Sequence, residues 1–376
     1  MSSLNLPNIS ANPLFLQYID QKSNLLAEPV RVAEFSLDSN GRPILGRSKA
    51  RYFYEPALGK GRKPPIKARL NDGYRKEIIQ EREDDGIIFL NRWIASMALP
   101  NANLKEQIHN SDFVTCRGTL LRLMLSCYDS IHHSVGMKLA CSKFKGVYFI
   151  REYYTDKRIE KEENMTERHS RMCYEAHKFK QIVTTKVEGK RPDFKEDVCV
   201  KPDFIGVFKA TINSPSQPDN KGSSFRLFYA AEVDCIMPSS GQYLGLKTQY
   251  KMIGFGEGFS EKVLKWWIQA YLAGIKKLVV GIHENSKLNQ VELLDLGVLT
   301  NNLSLSGVNI NCCFVFLYEF LEAVKKYLDM APEGNILLSK RLPTSTEFTF
   351  QLLEEGSAAA IVNEVLSNEF KAHGWS

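Results

Sequence analysis

Apolar residues recur at three- and four-residue spacings in two long stretches. Val263, Leu264, Trp266, Trp267, Tyr271, Leu272 and Ile275 predict one helix, with Gly274 near its end. Phe314, Leu317, Leu321, Val324 and Leu328 predict another. Shorter patterns predict helices over Tyr74 to Arg82 and over Ile87 to Met97, and Lys157 to Lys178 is charged and helix-prone. Strands are expected over Val30 to Phe35, Arg51 to Tyr54, Phe113 to Cys116, Phe144 to Ile150, Phe204 to Phe208, Phe225 to Asp234 and Lys277 to Ile282. Asn213 to Ser224, rich in Ser, Pro, Asn and Gly, reads as an exposed loop. The first 28 residues, with Pro7 and Pro13, read as loop-like. Strands and helices are interspersed from end to end. That favours the α/β class, with a single domain over residues 29–376 in which mixed, twisted β-sheets are surrounded by helices.

Composition supports such a core. The chain has 376 residues, 44% hydrophobic and 24% charged, an ordinary globular balance. No apolar run approaches the ~18 residues a membrane helix needs. The start lacks a basic n-region and an apolar h-region, so an intracellular soluble protein with no membrane partner is expected. The eight cysteines form no CxxC and read as reduced core thiols. The seven histidines form no HExxH, and His132-His133 is a bare pair that reads as surface.

The net charge of +6 hides an asymmetry. Eleven basic residues lie between Arg42 and Lys76 against only Glu55 and Asp72, which leaves the rest of the chain net acidic. Within that block Lys60, Arg62, Lys63, Lys67 and Arg69 suit phosphates, and Arg51-Tyr52-Phe53-Tyr54 interleaves rings that could stack on bases. A solvated loop is the plainer alternative. The block also has the composition of a nuclear-import segment.

Glu232-Val233-Asp234 places two carboxylates at i and i+2. On a strand they share a face, on the order of 6–7 Å apart along the chain, as a divalent cation would require. Lys247 follows on a second strand, Tyr243 to Thr248. Acid followed by a hydrophobic-Lys strand is the skeleton of a metal-dependent phosphodiesterase site, in which a lysine stabilises charge on the phosphoryl group. Taken alone, the motif reads rather as two ordinary salt-bridged strand residues.

Further motifs appear in a definite order. They are Val32 to Asp38, Arg51 to Tyr54, Leu70-Asn71-Asp72-Gly73-Tyr74, Asp112 to Gly118 with Arg117, His177-Lys178-Phe179-Lys180-Gln181, Glu232-Val233-Asp234, Leu244-Gly245-Leu246-Lys247-Thr248, and Lys265 to Gln269. The set resembles the decapping exoribonuclease (DXO) family of RNA 5′-end enzymes, from about residue 30 to beyond residue 320. The resemblance implies a DXO-like domain with a nuclease-like metal-site skeleton. In that family four carboxylates hold two divalent metals that cleave the RNA backbone or remove incomplete caps and 5′ triphosphates. Here Lys180 and Gly245 stand where two of the four carboxylates belong, and Ala176 replaces a glycine. Glu232 and Asp234 then face Lys180 and Lys247, a formally neutral set with little reason to hold two dications. Glu175 and Asp203 are acids that could replace a lost ligand.

The resemblance therefore leads to three expectations. The first is a pseudoenzyme of the degenerate, Cutoff-like type. It would have no bound metal and no catalytic residues, and it would bind RNA 5′ ends through Arg117, Lys247, Gln269 and the basic block. Such a protein resides in the nucleus and works in a protein complex, chromatin-associated or built on a 5′→3′ exonuclease. There it protects nascent transcripts, piRNA precursors among them, from termination and decay. The second is a weakly active RNA 5′-end pyrophosphohydrolase or decapping exoribonuclease using magnesium or manganese on Glu232 and Asp234. The third is a protein scaffold without RNA binding. Lys180 is expected to lie beside Glu232 and Asp234. Trp266 and Trp267, on the apolar stripe of their helix, are expected in the core.

Overall fold

The structure is a computed structural model that describes residues 4–13, 25–58, 66–80, 86–129, 134–201, 203–216, 224–254, 258–354, 361 and 364–376. Lys60, Arg62 and Lys63, the pair His132-His133, and residues 217–223 of the expected loop lie outside them.

Sixteen strands form among the described residues. They are β1 (Leu4–Ser10), β2 (Val30–Leu37), β3 (Pro43–Leu45), β4 (Tyr52–Phe53), β5 (Phe113–Cys116), β6 (Met137–Phe144), β7 (Val147–Tyr153) and β8 (Thr184–Thr185). There follow β9 (Phe204–Asn213), β10 (Ser224–Glu232), β11 (Cys235–Ile236), β12 (Tyr243–Tyr250), β13 (Lys277–Glu284), β14 (Lys287–Asp295), β15 (Ile336–Arg341) and β16 (Glu347–Leu353). Ten of them make a mixed sheet in the order β1-β16-β15-β6-β7-β5-β10-β9-β2-β3. A second sheet of six runs β14-β13-β12-β11-β4-β8. β5 lies parallel to both β10 and β7, and β12 lies parallel to β13, as expected where helices link the strands.

Five helices bear on the site: α1 (Arg117–Leu125), α2 (Glu167–Val183), α3 (Phe259–Tyr271), α4 (Leu296–Leu305) and α5 (Ile310–Asp329). α1 packs between α3 and α5, and α4 against α3. The main core gathers here around Phe316, Phe320, Leu264 and Trp266. α3 and α5 confirm the two periodic stretches. Gly274, with φ of 60°, follows the end of α3, where a left-handed residue stops a helix. No single described helix is long and apolar enough to cross a membrane.

Three expectations are corrected. Leu4 to Ser10 is a strand rather than loop, because the edge of β16 supplies its backbone partners. Phe144 to Ile150 is two strands. Lys145 and Gly146 have φ of 47° and 71° and form the two-residue turn that pairs Phe144 with Val147. Among the eight free thiols, Cys199 is exposed and Cys116 and Cys173 are half-buried, so only five sit in the core.

α2 packs closely against a glycine of β13. A Cβ at Gly281 on β13 would meet the Phe179 ring at 2.4 Å. Having none, β13 leaves room for the fully buried Phe179, and the next residue, Lys180, reaches the carboxylates.

Candidate active site

Glu232 ends β10 in the large sheet, and Cys235 opens β11 in the small one. Asp234 lies in the crossing between them. The two carboxylates are therefore not on one strand face, as the i, i+2 spacing suggested, but at a change of sheet. They nevertheless converge. Lys180 Nζ lies 3.2 Å from Glu232 Oε1 and 2.5 Å from Asp234 Oδ1. The Leu246 backbone N–H donates to Asp234 Oδ2 at 2.8 Å, which ties the crossing to β12.

Burial alone would pull Lys180 toward neutrality, but the Asp234 and Glu232 charges outweigh it and hold the ammonium well above its usual range. Lys180 in turn holds Glu232 below the usual carboxylate range against the effect of burial. Burial is also the largest influence on Asp234, yet Lys180, Lys247 and the Leu246 N–H together hold it far below that range. Each ion is stable here because the others are present.

Around this cluster runs a groove of about 360 Å³. Arg117, Lys180, Lys247, Lys262 and Lys265 line it against the two carboxylates. Arg117 opens α1, and its Nη1 donates to the Glu232 backbone carbonyl at 3.0 Å. Lys247 Nζ donates to Gln269 Oε1 at 3.1 Å, and burial pushes its pKa down to about 8. Lys262 donates to Gln249 Oε1 at 2.7 Å and to the Thr248 carbonyl, and burial pushes it down to about 8 as well.

The fold thus brings Arg117, Lys180, Glu232, Asp234, Gly245, Lys247 and Gln269 together. Lys67 and Arg69 do not line the groove; both are exposed, and Arg69 Nε donates to Asn71 Oδ1 at 3.4 Å. Trp266 and Trp267 are buried as expected, and Trp267 Nε1 donates to Thr300 Oγ1 at 2.8 Å. Lys262 was missed, and Lys265 was read only as part of the motif that ends at Gln269. With Gln269 they follow i, i+3, i+7 on α3, a polar face that helical spacing would have exposed. Of the substitute acids, Glu175 is engaged elsewhere and accepts from Ser286 Oγ at 2.5 Å. Asp203 lies nearer. It lines a small adjoining cavity with Lys180, Glu232 and Asp234, and burial raises its pKa.

Two dications do not fit this set: among the described residues, no three His, Cys, Asp or Glu side chains converge to hold a metal. A single hard cation would find only two carboxylates here, Glu232 and Asp234, both paired with the Lys180 ammonium, and would draw its remaining ligands from water.

A family model described as RAI1 like PD-(D/E)XK nuclease matches residues 27–371. The chain belongs to that family. Decapping nuclease dom-3 of Caenorhabditis elegans is 31% identical over 252 residues, covering 67% of this chain and 62% of that protein. The match thus spans less than two thirds of the relative's length. Two solved Rai1 structures share the fold. The Scheffersomyces stipitis protein with (3′-NADP)+ and calcium gives a TM-score of 0.75 at 20% identity, covering 98% of this chain and 99% of that one. The Candida albicans protein with pU5 and Mn2+ gives 0.74 at 18% identity, covering 100% and 99%. The α/β fold with mixed, twisted sheets is the fold of the family.

The expectation of a pseudoenzyme is corrected by these findings. The matched family is a nuclease family, and the relatives carry the names of decapping nucleases and exoribonucleases. The replacement of two carboxylates by Lys180 and Gly245 does not by itself make the chain a non-enzyme. It leaves Glu232 and Asp234 as the acids of the site, paired with Lys180.

Proposed function

We propose that this chain binds phosphorylated 5′ ends of RNA in the groove and hydrolyses them there as a weakly active decapping nuclease with one divalent ion. The observation that carries the reading is the convergence of Glu232 and Asp234 on a single cation inside a groove otherwise lined by positive charge. The names of the relatives and the pU5–Mn2+ complex of the Candida protein support it.

Arg117, Lys262 and Lys265 attract and orient the phosphates. Lys247, held by Gln269, presents an ammonium where charge grows on a phosphoryl oxygen. A bound magnesium or manganese would supply an activated water and a Lewis acid on Glu232 and Asp234. Lys180 must leave the carboxylates for that ion to enter, so the metal competes with an ammonium already in place, and weak activity follows. The reading includes a nuclear location and a nuclear protein complex as partner, supported by the basic segment, in which Lys67, Arg69 and Arg75 are exposed.

Incubation of the purified chain with 5′-triphosphate, 5′-monophosphate and capped RNA, with manganese or magnesium, tests the proposal. Metal-dependent release of product that disappears in Asp234→Asn is expected. No release from any substrate at any metal concentration would overturn it.

A further inference from the structure

Arg51, from the segment expected to stack on bases, is tied to both sides of the Lys180–Asp234 ion pair. The strand it leads into, β4, lies between β8, which follows α2, and β11, which follows Asp234. Tyr52 and Phe53 pair with Thr185 and Thr184 on one side, and Tyr52 pairs with Ile236 on the other. Phe53 is buried, so it offers no platform to a base. The Ile236 N–H, two residues after Asp234, donates to the Arg51 carbonyl at 2.9 Å. The Arg51 side chain reaches α2. Its Nε donates to Thr184 Oγ1 at 2.7 Å, and the same hydroxyl donates to the Lys180 backbone carbonyl at 2.6 Å. This relay ends on the residue whose ammonium sits between the two carboxylates.

Thr184 is fully buried and caps the C-terminus of α2, where backbone carbonyls lack partners within the helix. A hydroxyl can accept one hydrogen bond and donate another, and here both are made. The bond from the guanidinium is charge-assisted and so stronger than a neutral one. Arg51 is itself held: Nη2 donates to Glu196 Oε2 at 3.2 Å and to the Thr184 carbonyl at 3.4 Å. With Nε and Nη2 engaged in the fold, neither edge of the guanidinium is left whole for a phosphate. Lysine has a long flexible stem, so the placing of its backbone sets which carboxylates its ammonium reaches.

We infer that Arg51 is a positioning residue: acting through Thr184, it fixes the last turn of α2 and keeps the Lys180 ammonium on Glu232 and Asp234. The inference rests on the proposed function, in which a divalent ion must displace that ammonium. Arg51, whose own carboxylate partner is Glu196, then sets how readily the ion enters. Loosening the relay lets Lys180 withdraw and tightens ion binding.

Two readouts test this. The first is metal-free. In the chain labelled with 15N-lysine, NMR detects the ammonium protons of a lysine only where acceptors slow their exchange. Wild type should show one such resonance that is absent from Lys180→Met. It should vanish in Arg51→Gln and in Thr184→Val, and persist in Thr184→Ser, which keeps the hydroxyl. The second readout is manganese binding, followed by the EPR signal of the free ion. Affinity should rise about tenfold in Arg51→Gln and Thr184→Val. It should stay at the wild-type value in Thr184→Ser, and neither substitution should raise it further in Lys180→Met. Circular dichroism melts check folding, and if Arg51→Gln does not fold, the two Thr184 variants decide. A Lys180 resonance missing from wild type, or unchanged in Thr184→Val, would overturn the inference. So would a gain in manganese affinity of the same size in the Lys180→Met background, which marks a general loosening of the fold. If Lys180→Met bound no manganese, the one-ion site of the proposed function would fall, and the resonances alone would decide the role of Arg51.

Discussion

Lys180 Nζ lies 2.5 Å from Asp234 Oδ1, so a side chain from helix α2 occupies the position that a metal ion would take between Asp234 and Glu232. The ammonium holds the carboxylates in place and is also the competitor that any divalent ion must displace.

Replacing Lys180 by alanine leaves two partly buried carboxylates facing each other. Lys180, Glu232 and Asp234 retain 26%, 33% and 13% side-chain exposure, which moderates the cost. A loss of ~1–3 kcal/mol is expected, read as a lower melting temperature. Manganese should raise the melting temperature of Lys180→Ala more than that of wild type, because the ion then binds the folded form without competition. A melting temperature unchanged by the substitution would show that the ion pairs contribute nothing.

Acid should weaken the fold through the same cluster. Glu232 and Asp234 titrate below their unfolded values, so the stability they contribute is complete above ~4, where carboxylates ordinarily ionise. It is lost as pH falls toward their folded values. Denaturant melts of wild type and Lys180→Ala between neutral pH and pH ~2 should converge at the acid end. A constant gap between the two curves would contradict the linkage.

Lys247 and Lys262 give the opposite pattern at the alkaline side, since both have pKa values of about 8. RNA binding should fall as pH rises through that value and the groove loses two charges. Stability should not fall with it. Between about 8 and the unfolded lysine value of ~10.4 the unfolded chain holds more protons, so stability rises with pH in that window. Parallel binding and melting series test this, and affinity that is flat across the window would count against the two lysines as phosphate ligands.

Restoring an acid at Gly245 is harder than its motif suggests. A Cβ there would meet Leu278 Cδ2 at 2.5 Å, inside the core. Gly245→Glu alone should destabilise by ~1–3 kcal/mol through overpacking. Leu278→Ala in the same chain should recover part of that loss. With Lys180→Glu added, the melting temperature should become strongly manganese-dependent. If manganese has no effect on the triple variant, the four carboxylates do not converge.

Charge reversal at Lys67, Arg69 and Arg75 tests the basic segment independently of the groove. RNA affinity should drop and its salt dependence should flatten, because fewer counterions are released. Unchanged binding would mark these residues as solvated surface.

Much of the architecture could be read from residue order. The stripes on α3 and α5 need only local periodicity, and Phe204 to Phe208 and Lys277 to Ile282 need only a run of strand-forming residues between turns. The ordered short motifs, with Lys180 and Gly245 in two acid positions, marked the cluster and its neutral charge. Residue order could not reveal that the chain changes sheet between Glu232 and Cys235, with Asp234 in the crossing, since that depends on which strands β10 and β11 pair with. Nor could it place β1, whose hydrogen-bond partners lie at the opposite end of the chain on β16. A cavity lined by Arg122 of α1, Arg151 of β7 and Arg341 of β15 arises in the same way: the three share no motif and come together because β15, β6 and β7 are neighbours. Local preference acts over a few residues, whereas strand pairing and charge balance in a cavity are decided by contacts distant along the chain, and only the folded chain supplies those.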